Sequence, residues 1–443
     1  MALHCCNKIW VFIIVIFLII VENVFAATFG CSTGQTDDFR NVALSVHRQY
    51  RQLLAQGKAP NKCGQLPQAK NYYEINWDCA LETDAKAWSD ACNYAYKSGA
   101  TQAMTMDACN YAYKSGATQA MTMGSASSPA DAIKKLMIQM ANTPITNGAT
   151  PDTYNNANND WNRVINYKVL AVGCASKLCS GMYYTVCHYD KPAFSNEKLY
   201  EKGTNCVTDS DCTTLLESTC KNGLCIAPPK PDETINTVCP SNPSMNDYAR
   251  DQLVKWHNYY RALVIKGNEP AAGGRKAPKG KNMYKIKYSC AIETNAQNYA
   301  NTCPYPTHSL STARPGWGEN MAHISTGTIG ESMAKSVQLY YSELLSPGMA
   351  DLVTNIVTFP GDMGAGHYTQ VVWGNTYEIG CGGKKCPDGY WHLVCQYNVA
   401  GNWNNTAVYQ VATTGPGGCA TDADCTTQAA DTCSTSDGLC NRV

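Results

Sequence analysis

The 443-residue sequence has no excess charge of either sign: 35 lysines and arginines stand against 35 aspartates and glutamates. That balance excludes a polybasic nucleic-acid surface and a charged disordered tail. Beyond the first two dozen residues there is no apolar run of the about 20 residues that a membrane span needs, which excludes stable membrane insertion. Histidine is scarce, with eight in all. No Cys-x-x-Cys pair occurs, and the few histidines do not complete ligand sets with the cysteines as they would in a structural zinc domain. A recognisable nucleophile motif is also missing.

What is abundant is cysteine, at 24 residues. Cys5 and Cys6 lie in a leader where Lys8 precedes an apolar run from Ile9 to Val21, ended by Glu22 and followed by Val24-Phe25-Ala26. Basic start, apolar centre and small-residue cleavage site come in the order of a secretory signal peptide. Residues 1–26 are therefore expected to be removed, leaving a secreted, extracellular chain. The other 22 cysteines are spread along the whole mature sequence, as suits an oxidising compartment.

The chain also repeats itself. Lys70–Cys92 and Lys281–Cys303 align without a gap and agree at 10 of 23 positions, both cysteines included. His47–Arg51 faces His257–Arg261, and Cys174, Cys179 and Cys187 match Cys381, Cys386 and Cys395. Cys206, Cys212, Cys220 and Cys225 match Cys419, Cys425, Cys433 and Cys440. This tandem duplication predicts a first domain over 27–202, a cysteine-rich knot and proline-rich linker over 203–235, a second domain over 236–415 and a closing knot over 416–443. The knots are too poor in apolar residues to bury a core, so disulfides must order them. Cys290, Cys303, Cys381, Cys386, Cys395, Cys419, Cys425, Cys433 and Cys440 are expected to be disulfide-bonded, with the connectivity open.

Apolar periodicity predicts helices over Asp247–Lys266, Ala291–Cys303 and Glu331–Leu345. The β-branched and aromatic runs Tyr368–Trp373 and Tyr390–Tyr397 read as strands. Helices first and strands later make an α+β class, a sheet covered by helices. Asp90–Met106 and Asp107–Met123 are the same 17 residues. Because 17 residues do not restore the facing of a helix, one copy must be absorbed as loop. Cys92 keeps the register of Cys303, so the second 17-mer reads as the insertion. It brings Cys109, which like Cys63 has no counterpart in the second half: either the two cysteines pair, or the exact repeat is an error of sequence assembly, which its perfect identity favours.

Four segments carry a resemblance. They are His257-Asn258-Tyr259-Tyr260-Arg261, Gly318-Glu319-Asn320-Met321, Gly366–Thr376 (GHYTQVVWGNT) and His392–Trp403 (HLVCQYNVAGNW), which departs from the pattern only at Val399. Together they resemble the CAP superfamily of cysteine-rich secretory, antigen 5 and pathogenesis-related proteins, also called SCP or venom-allergen-like. The two-copy arrangement looks most like the two-domain activation-associated secreted proteins of parasitic nematodes. The resemblance implies two tandem α-β-α sandwiches with a cleft tetrad of two histidines and two glutamates, which fall here on His308, Glu319, Glu343 and His367. Glu343 departs in context, since Tyr340 stands where the family has tryptophan.

Two imidazoles and two carboxylates can bind a divalent cation, zinc being preferred through His308 and His367. They can also do acid–base work, or form a hydrogen-bonded cluster that orders the cleft. Ser309 beside His308 is a neighbour in sequence, which does not make a dyad. His257 and His47 read as structural, His392 as packing or surface, and His323 as near the cleft. The first half has no match to His308 or His367, no Gly-Glu-Asn segment, and Asp160–Tyr167 where the main signature should fall.

The expectation is a non-enzymatic, secreted host-interaction or immunomodulatory protein with no required cofactor. Its partner would be a host protein or receptor, or a lipid or sterol. A His/Glu-dependent hydrolase and a channel-modulating toxin are the alternatives. Asn404 heads the one N-glycosylation sequon, Asn404-Asn405-Thr406.

Overall fold

Thr36 and Asn246 open corresponding helices by accepting hydrogen bonds from the backbone N–H groups of Phe39 and Ala249. These helices, α1 (Asp37–Ala55) and α5 (Asp247–Ile265), begin a series of elements that runs twice along the chain. In this computed structural model the described residues are 28–61, 64–92, 118–142, 159–191, 198–229, 231–267, 269–325, 327–345, 359 and 366–443. The chain divides into two compact units, Met1–Pro229 and Lys230–Val443.

After α1 the first unit contains β1 (Asn76–Trp77), α2 (Cys79–Asp90), β2 (Thr118–Gly124), α3 (Pro129–Asn142), α4 (Asn159–Val164), β3 (Ala171–Cys179) and β4 (Met182–Tyr189). After α5 the second contains β5 (Lys287–Tyr288), α6 (Cys290–Ala300), β6 (Trp317–Ile324), α7 (Ile329–Ser342), α8 (Gly366–Val371), β7 (Glu378–Lys385) and β8 (Trp391–Asn398). The sheets have the same order, β1-β3-β4-β2 and β5-β7-β8-β6. In each, one parallel pairing at the edge joins three antiparallel strands.

Side-chain alternation along β7 makes the three layers. A Cβ on Gly380 or Gly382 would collide with the α6 backbone at Glu293 and Gln297, whereas one on Gly383 would meet Ile329 and Met333 of α7. Successive residues point to opposite faces, so α6 covers one face and α7 the other. Glycine at 380 and 382 lets helix backbone and strand touch, and Gly173 does the same against Glu82 in the first unit.

Buried polar groups repeat as faithfully. The guanidinium of Arg40 meets the carboxylate of Glu82 at 2.7 Å, and Arg250 meets Glu293 at 2.7 Å. Trp77 and Tyr288 donate to the same two carboxylates. Arg51 donates to the carbonyls of Tyr73, Val164, Asn166 and Val169, and Arg261 to those of Tyr284, Val371, Trp373, Gly374 and Thr376.

The segment around Tyr368–Trp373, expected as a strand, is the short helix α8 followed by a turn. Its β-branched and aromatic composition favours a strand. Arg261 overrides that preference by collecting the carbonyls at the helix's C-terminal end, which a ladder would otherwise have to pair.

Five disulfides repeat between the units. Cys31–Cys79 matches Cys239–Cys290, Cys92–Cys179 matches Cys303–Cys386, and Cys174–Cys187 matches Cys381–Cys395. The knots each have two, Cys206–Cys220 with Cys212–Cys225 and Cys419–Cys433 with Cys425–Cys440. All nine cysteines expected to pair do so, with Cys239 added. Cys63 and Cys109 lie outside the described residues.

Each knot hairpin is docked on its own domain. Cys225 N–H donates to Tyr72 O and Cys440 N–H to Met283 O, both at 2.9 Å. In the second unit the Tyr284 hydroxyl also donates to Asp431 at 2.7 Å. The doubled 17-mer is resolved differently from its sequence reading. Cys92 of the first copy bonds to Cys179, but the sheet takes its strand β2 from Thr118–Met123 of the second copy. The surplus length therefore lies between Cys92 and Thr118, and the strand is drawn from the copy that leads directly into α3.

Candidate functional site

Glu319 lies on β6 directly opposite Gln396 of β8. The Gln396 amide donates to its Oε2 at 3.0 Å. On the other side the chain leaving the Cys303–Cys386 disulfide brings up His308 and Ser309. Nδ1 of His308 is 3.0 Å from Oε1, Ser309 N–H donates to Oε1 at 2.8 Å, and the Ser309 hydroxyl donates to Oε2 at 2.6 Å. Burial works to raise the pKa of Glu319, but hydrogen bonds from His308, Ser309 and Gln396 outweigh it and hold the carboxyl at about 2. It is ionised at any physiological pH.

The second pair is built on two helices. Glu343 follows α7 in the 3₁₀ turn Glu343–Leu345, and His367 is the second residue of α8. Nδ1 of His367 is 2.6 Å from Oε1 of Glu343, and Tyr368 N–H donates to Oε2 at 2.9 Å. Tyr340, one helical turn before Glu343, lies nearly parallel to the His367 ring with centroids 5.0 Å apart. The tyrosine in the family's tryptophan place thus supplies a flat aromatic face to the histidine. Asn320, next to Glu319, donates to the His367 carbonyl at 3.0 Å and ties the two pairs together.

In both pairs the glutamate occupies Nδ1, leaving Nε2 as the open imidazole nitrogen. A carboxylate on the far nitrogen is how metal-binding histidines are usually oriented. Among the described residues, the sets of three or more His, Cys, Asp or Glu ligand atoms within 4.8 Å of one another do not include these four. As they stand, the four side chains therefore do not make a closed four-ligand structural centre. The Ser309 hydroxyl donates to Glu319 and accepts from Arg314 Nε at 3.0 Å.

The duplicated ladder shows what the first unit has instead. Glu319 pairs with Gln396, and the equivalent pair is Gln119 with His188. Val164 and Val371 both offer carbonyls to the buried arginine, which sets α4 on α8 and puts Asp160 at the position of His367. Burial, with Arg163 adding to it, lowers the His188 pKa to about 4, so this ring is neutral.

Two structural histidines behave as their sequence context suggests. His257 joins Leu253 O at 2.7 Å and the Tyr397 hydroxyl at 3.1 Å, and His47 does the same with Ala43 and Tyr189. Burial, the leading cause, lowers both pKa values to about 4. His392 and His323, which the sequence gives no reason to connect, share one carboxylate in the structure. Both direct Nε2 at Oδ2 of Asp388, at 2.8 and 3.0 Å. The available signal was the i, i+4 spacing of Asp388 and His392, but only the strand register brings in His323.

Comparison with known proteins agrees with this architecture. The model of the cysteine-rich secretory protein family (CAP) matches residues 44–189 and again 254–397. The Ancylostoma secreted protein of Ancylostoma caninum is 32% identical over 93% of this chain and 94% of its own length. Venom allergen 5.02 of Dolichovespula maculata is 30% identical over 45% of this chain and 91% of its own. Among solved structures, Na-ASP-1 superposes with a TM-score of 0.63 at 30% identity, covering 93% of this chain and all of the other. No helix among the described residues is long and apolar enough to cross a membrane. With the family model matched in both halves and 93% of the length shared with the Ancylostoma secreted protein, the chain belongs to the cysteine-rich secretory protein (CAP) family as a two-domain member.

Proposed function

We propose that this chain is a secreted, non-enzymatic interaction protein of a parasitic nematode, acting on a host protein or receptor. In this reading residues 1–26 are removed, Asn404 is glycosylated, and the second domain reversibly takes up a divalent cation, zinc by preference, through Nε2 of His308 and His367. A lipid or sterol is the alternative ligand. The observation that carries the reading is the engagement of both glutamates with Nδ1, which orients each ring and leaves Nε2 open. A bound cation would supply positive charge and exchangeable coordination positions for a partner's polar group. The first domain, with Gln119 and Asp160 at the equivalent backbone positions, serves as scaffold or binding surface.

A carboxylate held at about 2 is a poor proton acceptor near neutrality, which favours binding over hydrolysis. Zinc calorimetry on the full chain tests this. One ion per chain is expected, with affinity falling at least about 10-fold in His308→Ala and in His367→Ala. Unchanged zinc binding in both variants overturns the reading. Peptide and ester libraries test the hydrolase alternative, which gains if wild type turns over substrate and Glu319→Ala or His367→Ala does not.

A further inference from the structure

The two units finish one end of their sheets differently. In the first, Met123 pairs with Tyr184 across β2 and β4, and both pack with Ala85 and Cys179 in an apolar cluster. In the second, the same positions are His323 and His392, paired across β6 and β8. The fold can thus close this end without a histidine, and the histidines need another explanation.

They form a clasp around Asp388, whose Oδ2 takes both Nε2 atoms and whose Oδ1 accepts from Tyr390 N–H at 2.9 Å. The His323 ring lies between Tyr390 and Tyr305, stacked on both with centroids at 4.0 and 4.8 Å, and stands edge-on to His392. His392 is almost fully buried, and Lys384 of β7 is directly opposite it in the ladder. The hydrogen bonds from His392 and then His323 hold the Asp388 carboxyl well below the usual carboxylate range.

The other nitrogen of His392 decides what the clasp is. Tyr305 backbone N–H donates to Nδ1 at 3.2 Å. An amide N–H can only donate, so Nδ1 bears a lone pair and the neutral ring keeps its proton on Nε2, facing Asp388. The trio has the composition of a two-histidine, one-carboxylate metal set. A metal on Nε2 would, however, force the proton onto Nδ1, against the Tyr305 N–H. A second proton on the ring has the same effect: Nδ1 turns from acceptor to donor and the bond to Tyr305 is lost. Protonating His323 leaves its donation to Asp388 intact.

Tyr305 leads directly to the cleft. It lies inside the turn closed by Thr307 N–H to Pro304 O at 2.8 Å, and the next two residues, His308 and Ser309, hold Glu319. We propose that His392 is a positioning residue of the cleft: its neutral imidazole clamps the Tyr305–His308 segment, and its protonation loosens that segment and the hold on His308. This deepens the reading above, in that His308 is taken to serve the cleft's ligand.

The test uses the full chain from about pH 7.5 to about pH 5, the span in which histidine usually charges. Imidazole nitrogen NMR should find His392 Nδ1 unprotonated at the upper end. As His392 charges, exchange of the Tyr305 amide, corrected for its intrinsic pH dependence, should rise several-fold and up to about 10-fold for one lost hydrogen bond. The His308 resonances should move with the same midpoint. His323→Gln should keep this step, and His392→Tyr, the residue of the first unit, should abolish it. A protonated Nδ1 at the upper pH, or Tyr305 exchange that stays level while His392 charges, overturns the proposal. These two readings need only wild-type protein, so a misfolded variant leaves them standing. Zinc that shifts His323 and His392 together in a His308→Ala, His367→Ala background makes the trio a cation site and also overturns it. A Tyr305 step that persists where His308 proves irrelevant to zinc sinks the proposed function and leaves the clamp.

Discussion

Oε1 of Glu319 stands 3.0 Å from Nδ1 of His308, yet the glutamate side chain is wholly buried and the histidine side chain 49% exposed. The pair thus faces two ways, with an anchored carboxylate inside and a ring edge open to a ligand.

Glu319 should make the second domain acid-sensitive. Its folded pKa of about 2 lies below the ordinary 4.5, so its stabilisation is complete above about pH 4.5 and is lost as pH falls through about 2. Glu319→Gln should cost up to about 3 kcal/mol at neutral pH, the free-energy equivalent of that shift. The gap from wild type should close towards about pH 2. Denaturant melts at several pH values measure this, and a gap independent of pH would disprove it.

The buried ion pairs should matter more to the fold than any surface pair. Removing the glutamate takes away a buried guanidinium's buried partner and leaves it the aspartate three residues before it, Asp37 or Asp247, so Glu82→Ala and Glu293→Ala should each cost about 3 kcal/mol in their own domain, the low end for a broken buried pair. Differential scanning calorimetry of the full chain would follow each domain's transition.

Tyr340 should tune the second imidazole without touching a cation. Tyr340→Trp keeps a flat face on His367 and should hold zinc affinity. Tyr340→Ala frees the ring and should weaken binding about 10-fold, within the range for lost supporting contacts. Calorimetry that ranks the two variants equally would count against the stacking role.

The closing knot should depend on one tyrosine hydroxyl. Burial, and then Asp431, push the Tyr284 pKa up to about 12, so the phenol remains a donor at neutral pH. Tyr284→Phe leaves the buried Asp431 carboxylate without it and should cost about 1–3 kcal/mol. Faster proteolysis within the knot (residues 416–443) would be its signature.

Much of this protein can be read from its residues. Duplicated cysteine spacing is a covalent pattern, and five matched disulfides per unit follow from it once the fold brings each pair together. The helical stripe of α5 and the β-branched and aromatic run of β8 are local patterns, and both elements form where those patterns run. Of the four segments that carry the family resemblance, two contain Glu319 and His367 themselves, whereas His308 and Glu343 lie outside them and came only from what the resemblance implies.

Other features depended on partners far along the chain. Tyr368–Trp373 has strand composition but turns helical, because Arg261, over 100 residues earlier, takes its carbonyls. The two copies of the 17-mer have identical local preferences, so only pairing with β4 selects Thr118–Met123 as the strand. The clasp of His323, Asp388 and His392 comes from strand register and a turn, neither of which leaves a motif. Sequence alone thus determined the duplication, the cysteine pattern and the residue types of the candidate site, all of which are covalent or local. Tertiary structure decided which nitrogen of His308 and of His367 its glutamate occupies, since that depends on which neighbour the fold brings to the ring.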